Sequence, residues 1–446
     1  MPNFAIALSG LEADNTELNT IANNLSNMST TAYKAEKTNF SDMFYESLGS
    51  SGSDNPIVVG TGTKVASTTT DTTQGDYDTT GTTTSDMAID GEGYFVVADT
   101  SGSEYLTRNG EFTEDTSGHL ETSSGNALMG YEATDGTISS STLSELTLPT
   151  KGSVMSASAS TEFRVTANLN SSATEGTSFT STVELYDSLG ESHEATITYT
   201  KTSTANEWNY TVTMPNSDFA NVLSGDESGT TTLASGTMAF DSSGNLAGID
   251  DGSGVLSTVG VPTTEYPDLV DTVSIDVEDG YSGHGLADGA TLGNISWNLL
   301  NASGGQILTQ TSSASSNTSA IPDGYTAGTY ESFTVDTDGT IAASYSNGET
   351  VTVGQVALAT VANEQGLTAE GSSLYKVSSS SGTASVGTAG SGALGTIKDS
   401  ALEDSNVDIS TEFSQLIIAQ RAFQANSKSI TTFDSVTETA IGMIRS

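Results

Sequence analysis

The chain has 446 residues, and its 12 Lys and Arg against 56 Asp and Glu give a formal net charge of −44. It contains no cysteine, which excludes disulfide scaffolds, thiolate metal sites and cysteine nucleophiles. So large a negative charge repels phosphate and argues against nucleic acids and anionic membranes as partners.

The first predicted element is a helix at the amino end. Its apolar positions alternate by four and three residues, which places them in one stripe. That stripe consists of Phe4, Leu8, Leu11, Asn15, Leu18, Ala22 and Leu25. We expect the helix to end between Asn27 and Ser29. Gly10 disfavours a helix interior, so its presence there indicates close approach to another helix.

A long body of alternating runs follows, rich in Ser, Thr and Gly and cut by turn signals. Runs of this kind predict strands, at residues 87–99, 180–190, 193–201 and 208–214. Asn109-Gly110 and Asn347-Gly348 predict two tight hairpin turns. The body is therefore expected to be mostly β.

The carboxyl end predicts a second, longer helix, because residues 405–441 contain neither Gly nor Pro. Ser405 followed by Asp408 resembles a capping box at its start. The same four-and-three spacing recurs, at Ile409, Phe413, Leu416, Gln420, Phe423, Ser427, Ile430, Asp434, Thr437, Ile441 and Ile444.

These two stripes predict assembly. The free energy gained by burying apolar side chains along one helix pair is smaller than the free-energy cost of the conformational entropy lost in ordering both ends. We therefore expect the ends to be disordered in the free monomer and helical once neighbouring subunits cover them. The alternative is that both helices fold back on the chain's own body. The predicted assembly residues are Phe4, Leu8, Leu11, Leu18, Ile21, Leu25, Ile409, Phe413, Leu416, Phe423, Ile430, Ile441 and Ile444.

The distribution of cations supports a separate role for the ends. Half of the twelve fall in the first 37 or last 49 positions, namely Lys34, Lys37, Lys398, Arg421, Lys428 and Arg445. The body between them carries most of the negative charge. This pattern predicts an acidic exterior around a more balanced, apolar axis.

Residues able to support catalysis are few. None of the three histidines, His119, His193 and His284, has a convincing companion in the sequence, and no Lys follows a Gly as a phosphate-binding loop requires. The acidic runs at residues 276–280 and 336–339 do not continue into a calcium-binding loop and predict turns. We therefore predict no catalytic residue, no cofactor and no metal site.

The two ends resemble a known family. Residues 9–43 and 401–436 are similar to the paired signatures of the flagellar rod and hook axial proteins. Residues 73–97 and 105–131 resemble the β module of that family, which is resumed at residues 323–367. The run VELYDSLGESH at residues 183–193 resembles an element of hook proteins.

The resemblance implies a multidomain fold, with mainly β outer domains and with paired N- and C-terminal helices in an inner, coiled-coil-like axial region. The expected divisions are a terminal helical region at 1–45 and 398–446 and connecting segments at 46–71 and 377–397. An inner β domain is expected at 72–150 and 320–376. One or more outer β domains are expected at 151–319, with a subdivision around 216–273, where no family element matches.

The implied function is a structural subunit that self-assembles into a helical tube outside the cell, a universal joint passing motor torque to the filament. Its implied partners are further copies, the flagellar rod, hook cap and hook-filament junction proteins and the flagellar type III export apparatus, without a cleaved signal peptide. Neither nucleic acid nor membrane insertion is expected. Two alternatives stay open: a distal rod or hook-associated axial protein, and a secreted Ser/Thr-rich adhesin.

Overall fold

A computed structural model describes residues 2–51, 55–134, 136–139, 142–220, 229–250, 257–258, 272–275, 277, 286–301 and 303–445. The chain divides into two compact units. The first contains Met1–Thr150, Ser332–Ser344 and Thr350–Ser446, and the second contains Lys151–Glu331 and Tyr345–Glu349. The finer division predicted from the sequence stays a prediction.

Both predicted helices are confirmed and belong to the first unit. Helix α1 spans Pro2–Ser26, so it ends just before the expected Asn27. Helix α2 spans Ile409–Arg445. Its cap is Asp408, whose Oδ1 accepts a hydrogen bond from the N–H of Thr411 at 2.7 Å. The predicted capping box beginning at Ser405 is therefore wrong by three residues.

The first unit begins with short strands that follow α1. They are β1 Glu36–Asp42, β2 Tyr45–Ser51, β3 Asn55–Gly60, β4 Thr63–Thr70, β5 Tyr77–Asp78, β6 Met87–Asp90, β7 Tyr94–Ala98, β8 Glu104–Thr107, β9 Phe112–Glu114, β10 Leu120–Thr122, β11 Ala127–Thr134, β12 Thr137–Ile138 and β13 Ser144–Glu145. Strands β1 and β4 pair with each other, as do β2 and β3.

The second unit contains two sheets. Its strands are β14 Val154–Met155, β15 Glu162–Asn170, β16 Ser178–Tyr186, β17 Ser192–Lys201, β18 Glu207–Pro215, β19 Thr230–Phe240, β20 Leu246–Ile249, β21 Ser257–Thr258, β22 Thr272–Ile275, β23 Ile295–Asn298, β24 Leu308–Thr311 and β25 Ser316–Pro322. A 3₁₀ turn at Asn216–Asp218 follows β18.

Strands β16 to β21 form an antiparallel sheet in chain order, and β22, β23, β15 and β24 form the other, with β25 paired to β15. Alternating buried and exposed side chains along β16 to β18 confirm the predicted strands at 193–201 and 208–214, and the one predicted at 180–190 as far as Tyr186. Both sheets contribute to one core, in which the rings of Tyr210 and Trp297 lie 5.5 Å apart.

The chain then passes through β26 into the remaining strands. These are β26 Gly328–Val335, β27 Thr340–Tyr345, β28 Thr350–Thr360, β29 Thr368–Gly371, β30 Leu374–Lys376, β31 Ser385–Thr388, β32 Thr396–Asp399 and β33 Leu402–Glu403. In the first unit, β27, β28, β11, β7, β8, β30 and β29 are neighbours in one sheet. The core of that unit includes Met87, Phe95, Phe112 and Leu128.

Two local predictions fail for steric reasons. Residues 87–99 form β6 and β7 rather than one strand, because Gly91 and Gly93 turn the chain with φ of 112° and 125°. Asn109-Gly110 does not make a hairpin, since β8 pairs with β7 and β30 while β9 pairs with β10. Gly110 instead lies against the carbonyl oxygen of Met87, where no Cβ would fit.

The other hairpin prediction is confirmed. Asn347-Gly348 joins β27 to β28, which pair antiparallel, and Gly348 has a φ of 86°. Within the described helices, neither α1 nor α2 offers a long enough apolar run to cross a membrane.

Candidate assembly surface

Helices α1 and α2 pack against each other in antiparallel directions. The backbone of Gly10 lies against the side chain of Asn426, and Asn426 Nδ2 donates to Asp14 Oδ2 at 2.8 Å. Fourteen residues further along α1, Asn24 Nδ2 donates to Glu412 Oε1 at 3.1 Å. Residues fourteen positions apart in α1 thus contact residues fourteen positions apart in α2 in the reverse order, as expected for antiparallel helices.

The two helices bury small, polar and apolar side chains. Ala13 and Asn24 of α1 are buried, and so are Ala419 and Glu412 of α2. Ile21 of α1 is buried as well, and Leu416, Phe423 and Ile430 are half-buried on the same stripe of α2 as Glu412 and Ala419. Pairing within one chain therefore covers only part of the apolar surface of the helices.

Asn24 ties both helices to the strand that follows α1. Its Nδ2 donates to the carbonyl of Glu36 at 2.8 Å, and its Oδ1 accepts from the N–H of Glu36 at 3.0 Å. The hydroxyl of Tyr33 also donates to Asn24 Oδ1, at 3.2 Å. A buried amide with these partners fixes the position of α2 relative to β1.

The buried carboxylate of Glu412 has an unusual environment. Burial raises its pKa, the hydrogen bond from Asn24 opposes the increase, and Asp408 adds to it. Its Oε2 has no hydrogen-bond partner among the described residues. Burial and the neighbouring Asp14 likewise raise the pKa of Glu17. The helix contact therefore favours protonated carboxyl groups.

Several large apolar side chains of both helices are exposed in the single chain. Phe413 is 51% exposed and Ile418 67% exposed. We call the whole set the outward apolar face; it consists of Phe4, Leu8, Ile409, Phe413, Ile417, Ile418, Val436 and Ile441. The helix pair thus leaves more large apolar surface exposed than a helix packed on its own core does.

The predicted assembly residues divide between these environments. Ile21 is buried; Leu11, Leu18, Leu25, Leu416, Phe423 and Ile430 are half-buried; Phe4, Leu8, Ile409, Phe413 and Ile441 are exposed. The side chain of Ile444 lies outside the described residues. The contact within the chain follows Glu412, Ala419 and Asn426, one residue before the predicted Phe413, Gln420 and Ser427. The predicted stripe therefore includes side chains that the other helix leaves uncovered.

A buried ion cluster lies where the chain enters and leaves the helices. Lys34 Nζ donates to Glu403 Oε1 at 2.5 Å and to the carbonyl of Thr73 at 2.8 Å. Arg108 Nη1 lies 3.5 Å from Glu403 Oε2. All three charged side chains are almost fully buried, and burial lowers the pKa of Lys34 although Glu403 opposes that change. We call Lys34, Arg108 and Glu403 the junction cluster.

Asn406 completes this junction through backbone contacts. Its Oδ1 accepts from the N–H of Ala35 at 2.8 Å, and its Nδ2 donates to the carbonyls of Asp71 and Thr73 at 2.9 and 3.0 Å. The sequence reasoning singled out neither Asn406 nor Glu403. A carboxylate and an amide just before a long helix were the available signal, but their partners lie some 300 residues away in the sequence.

Two of the histidines lie beside carboxylates that the sequence did not indicate. His119 Nδ1 lies 3.4 Å from Asp115 Oδ2, and His193 lies between Asp187 and Asp218. His284 and most of the acidic run at 276–280 fall outside the described residues. The run at 336–339 forms the predicted turn, in which Gly339 donates its N–H to the carbonyl of Asp336.

Two paired terminal helices that leave large apolar side chains exposed offer a surface for contact with other chains. Comparison with known families indicates the class of protein. Residues 4–34 match the family described as flagella basal body rod protein, and residues 398–443 match the flagellar basal body rod FlgEFG protein C-terminal family. Residues 88–166 match the flagellar hook protein FlgE/F/G D1 domain and residues 159–325 the flagellar basal body protein FlaE D2 domain. The class is that of flagellar axial proteins.

Whole-chain comparisons narrow this class. The flagellar hook protein FlgE of Salmonella typhimurium is 33% identical over 99% of this chain and 100% of its own length. That of Treponema pallidum is 31% identical over the whole of both chains. The chain therefore belongs to the flagellar hook protein FlgE family and is a structural hook subunit.

A solved structure also matches, that of Helicobacter pylori flagellar hook protein FlgE2. It covers 73% of this chain and 99% of its own, with a TM-score of 0.49 and 13% identity. The full-length sequence matches to the hook proteins of Salmonella typhimurium and Treponema pallidum favour the hook prediction over the rod and adhesin alternatives.

Proposed function

We propose that this chain polymerises through the outward apolar face of α1 and α2 into a helical tube that serves as a flexible joint between motor and filament. The observation that carries the proposal is that the helix pair of one chain leaves large apolar side chains exposed. Full burial of a large apolar side chain contributes about 1.5–3 kcal/mol, and the eight side chains of this face are still 39–67% exposed, so covering each of them contributes part of that amount.

The geometry of such a contact favours an open polymer. Two different surfaces of each copy meet head to tail, so the chain of contacts continues as a helix unless the rotation closes it into a ring. Packed helices resist sliding and would give the tube its torsional stiffness. The Ser, Thr and Gly of the β body offer polar, weakly bound surfaces that can shift as the tube bends.

Family membership supports the remaining parts of the proposal. The rod, the hook cap and the hook-filament junction proteins are the expected neighbours along the axis, and the type III apparatus is the expected export route to the cell exterior, without a cleaved signal peptide. We propose no catalytic activity, cofactor, nucleic acid or membrane insertion for this role. The predicted residues Leu11, Leu18, Leu25, Leu416, Phe423 and Ile430, all half-buried in the chain, are proposed to be covered further on assembly.

Electron microscopy of the purified chain in high salt tests the proposal. We expect curved tubes of uniform width, and we expect Ile418→Gln to reduce the polymerised fraction at least tenfold. Ile321→Gln is the matched control, because Ile321 is 60% exposed but belongs to the second unit. Straight rods would favour the distal-rod alternative, and normal tubes from Ile418→Gln would contradict the proposed contact.

A further inference from the structure

In the second unit, an imidazole lies between carboxylates from separate segments. His193 Nε2 is 3.2 Å from Asp187 Oδ2, and His193 Nδ1 is 3.3 Å from Asp218 Oδ2. Asp187 comes from the turn between β16 and β17, and Asp218 from the 3₁₀ turn after β18. A further carboxylate, Asp288, comes from the segment before β23. We call these four residues the His193 cluster.

The donor atoms of three of these side chains converge. One ligand atom each of Asp187, His193 and Asp288 lies within 4.8 Å of the other two. Asp187 is 0% exposed and His193 is also buried, while Asp288 is exposed. Ligand atoms around a tetrahedral zinc ion lie about 3.4 Å apart, as its bond lengths of about 2 Å require. A side-chain rotation of the exposed Asp288 can supply the remaining movement.

Charge favours a cation at this point. Three carboxylates surround one imidazole, so the cluster is negative even when His193 is protonated. The carboxylates of Asp187 and Asp288 each place an oxygen within 4.8 Å of the other and of the imidazole of His193. Two carboxylates this close repel each other unless a proton or a metal ion lies between them. The unit around them offers little positive charge, since Lys151, Arg164 and Lys201 are its cations.

We infer that Asp187, His193 and Asp288 bind a divalent transition-metal cation of the zinc type, with Asp218 as a positioning residue. One imidazole nitrogen with carboxylate oxygens suits Zn²⁺ or Mn²⁺, whereas Ca²⁺ and Mg²⁺ prefer oxygen ligands alone. Asp218 would accept the Nδ1 proton of His193 and so direct Nε2 toward the metal, the usual outer partner of a ligating histidine.

Backbone contacts prepare Asp187 for this role. Its Oδ1 accepts from the N–H groups of Leu189 and Glu191 at 2.8 and 2.9 Å, which leaves Oδ2 directed at His193. The bound ion would join the β16–β17 turn to the segment before β23, which already meet where Ser188 donates its N–H to the carbonyl of Thr291 at 3.1 Å. Metal binding would therefore stabilise the second unit. This departs from the sequence-based prediction of no metal site.

Calorimetric titration of the EDTA-treated full chain with ZnCl₂ tests the inference, in buffer with excess Mg²⁺ to saturate weak acidic sites. We expect one zinc ion per chain, at least tenfold weaker binding in Asp288→Asn and His193→Gln, and about tenfold weaker binding in Asp218→Asn. Asp288→Asn is the main variant, because Asp288 is exposed and an amide preserves its Oδ1, which accepts from the N–H of Ala290.

Asp241→Asn is the matched control. Asp241 Oδ1 accepts from the N–H groups of Ser243 and Asn245 at 2.8 and 2.9 Å, the same turn geometry as Asp187 without the histidine. Zinc should also raise the urea midpoint of tryptophan fluorescence in the wild type and in Asp241→Asn but not in Asp288→Asn, because Trp208 and Trp297 both belong to the second unit. Absence of stoichiometric binding, or equal affinity in Asp288→Asn and Asp241→Asn, would overturn the inference.

Discussion

Gly10 of α1 and Asn426 of α2 touch so closely that a Cβ at position 10 would lie 2.8 Å from Asn426 Nδ2. The same nitrogen donates to Asp14 Oδ2 at 2.8 Å. Asn426 can make this hydrogen bond because Gly10 has no side chain in its way. This contact fixes the antiparallel register of the pair at its middle.

Gly10→Ala is expected to lower the melting temperature of the helical signal in assembled tubes. Alanine favours the helix by about 1 kcal/mol, but its methyl group displaces Asn426 and breaks a charge-assisted hydrogen bond of about 1.5–3 kcal/mol. In the Asn426→Ala background, Gly10→Ala should instead raise the melting temperature. The double-mutant cycle by far-UV circular dichroism measures this change of sign, and equal effects in both backgrounds would show that the two residues are independent.

Glu403→Gln is expected to destabilise the first unit by about 3 kcal/mol, because Lys34 and Arg108 would keep their buried charges without a counter-ion. Hydrogen exchange of peptides from β6 and β7 in urea measures the loss. Tryptophan fluorescence, which reports the second unit, should not change. Glu370→Gln, at an exposed position in β29, is the control, and equal midpoints for the two variants would refute the role of the junction cluster.

The helix pair is expected to become more stable as pH falls from 7.5 toward 4.5. Glu412 has a pKa raised above its ordinary value of 4.5, so the folded state binds its proton more tightly than the unfolded state does. Stability therefore increases through the window between the folded pKa and 4.5 and then levels off. Thermal melts of assembled tubes measure it, and Glu412→Gln should reduce the response. An identical pH response in that variant would contradict the assignment.

Local patterns in the sequence predict both helices and three of the strands. Two unbroken stripes locate α1 and α2, and strict alternation locates β16, β17 and β18, because each signal depends on neighbouring residues alone. The hairpin prediction at Asn109-Gly110 fails because Gly110 is needed for another reason: the carbonyl oxygen of Met87 leaves no room for a Cβ at this position. In the sequence, such a glycine cannot be distinguished from a turn glycine. Steric contact between distant segments is not encoded in a dipeptide.

The candidate site is predictable only in part, for a different reason. The large apolar stripe was predicted to be covered on assembly, and this stays a prediction; within one chain Glu412, Ala419 and Asn426 lie at the helix contact, while Phe413 is exposed. A periodic stripe shows which residues need covering and does not show whether the same chain covers them. The junction cluster escaped prediction because Lys34 and Glu403 are far apart in the sequence.

Assembled tubes are expected to lose subunits on dilution into low ionic strength. The net charge of −44 per chain makes neighbouring copies repel, and this repulsion is screened within about 8 Å at physiological salt and about 3 Å at 1 M. Sedimentation of tubes in 0.02 M and 1 M NaCl measures the released fraction. Sucrose of equal osmotic strength is the control, and release that is independent of salt would contradict an electrostatic cause.

In the dilute monomer, the amides of both terminal helices are expected to exchange rapidly and to become protected on polymerisation. The contact within one chain leaves large apolar side chains of both helices exposed, so it offsets only part of the entropy lost in ordering the ends. The antiparallel register places Pro2 opposite Asp434, and residues 435–445 therefore extend beyond the first residue of α1. Those amides should exchange fastest in the monomer.

Hydrogen exchange measured by mass spectrometry, before and after assembly, tests this prediction, with the core strands β7 and β17 as protected references. Strong protection of α2 in monomers at low concentration would show that the chain stabilises its own helices and that apolar exposure does not drive assembly.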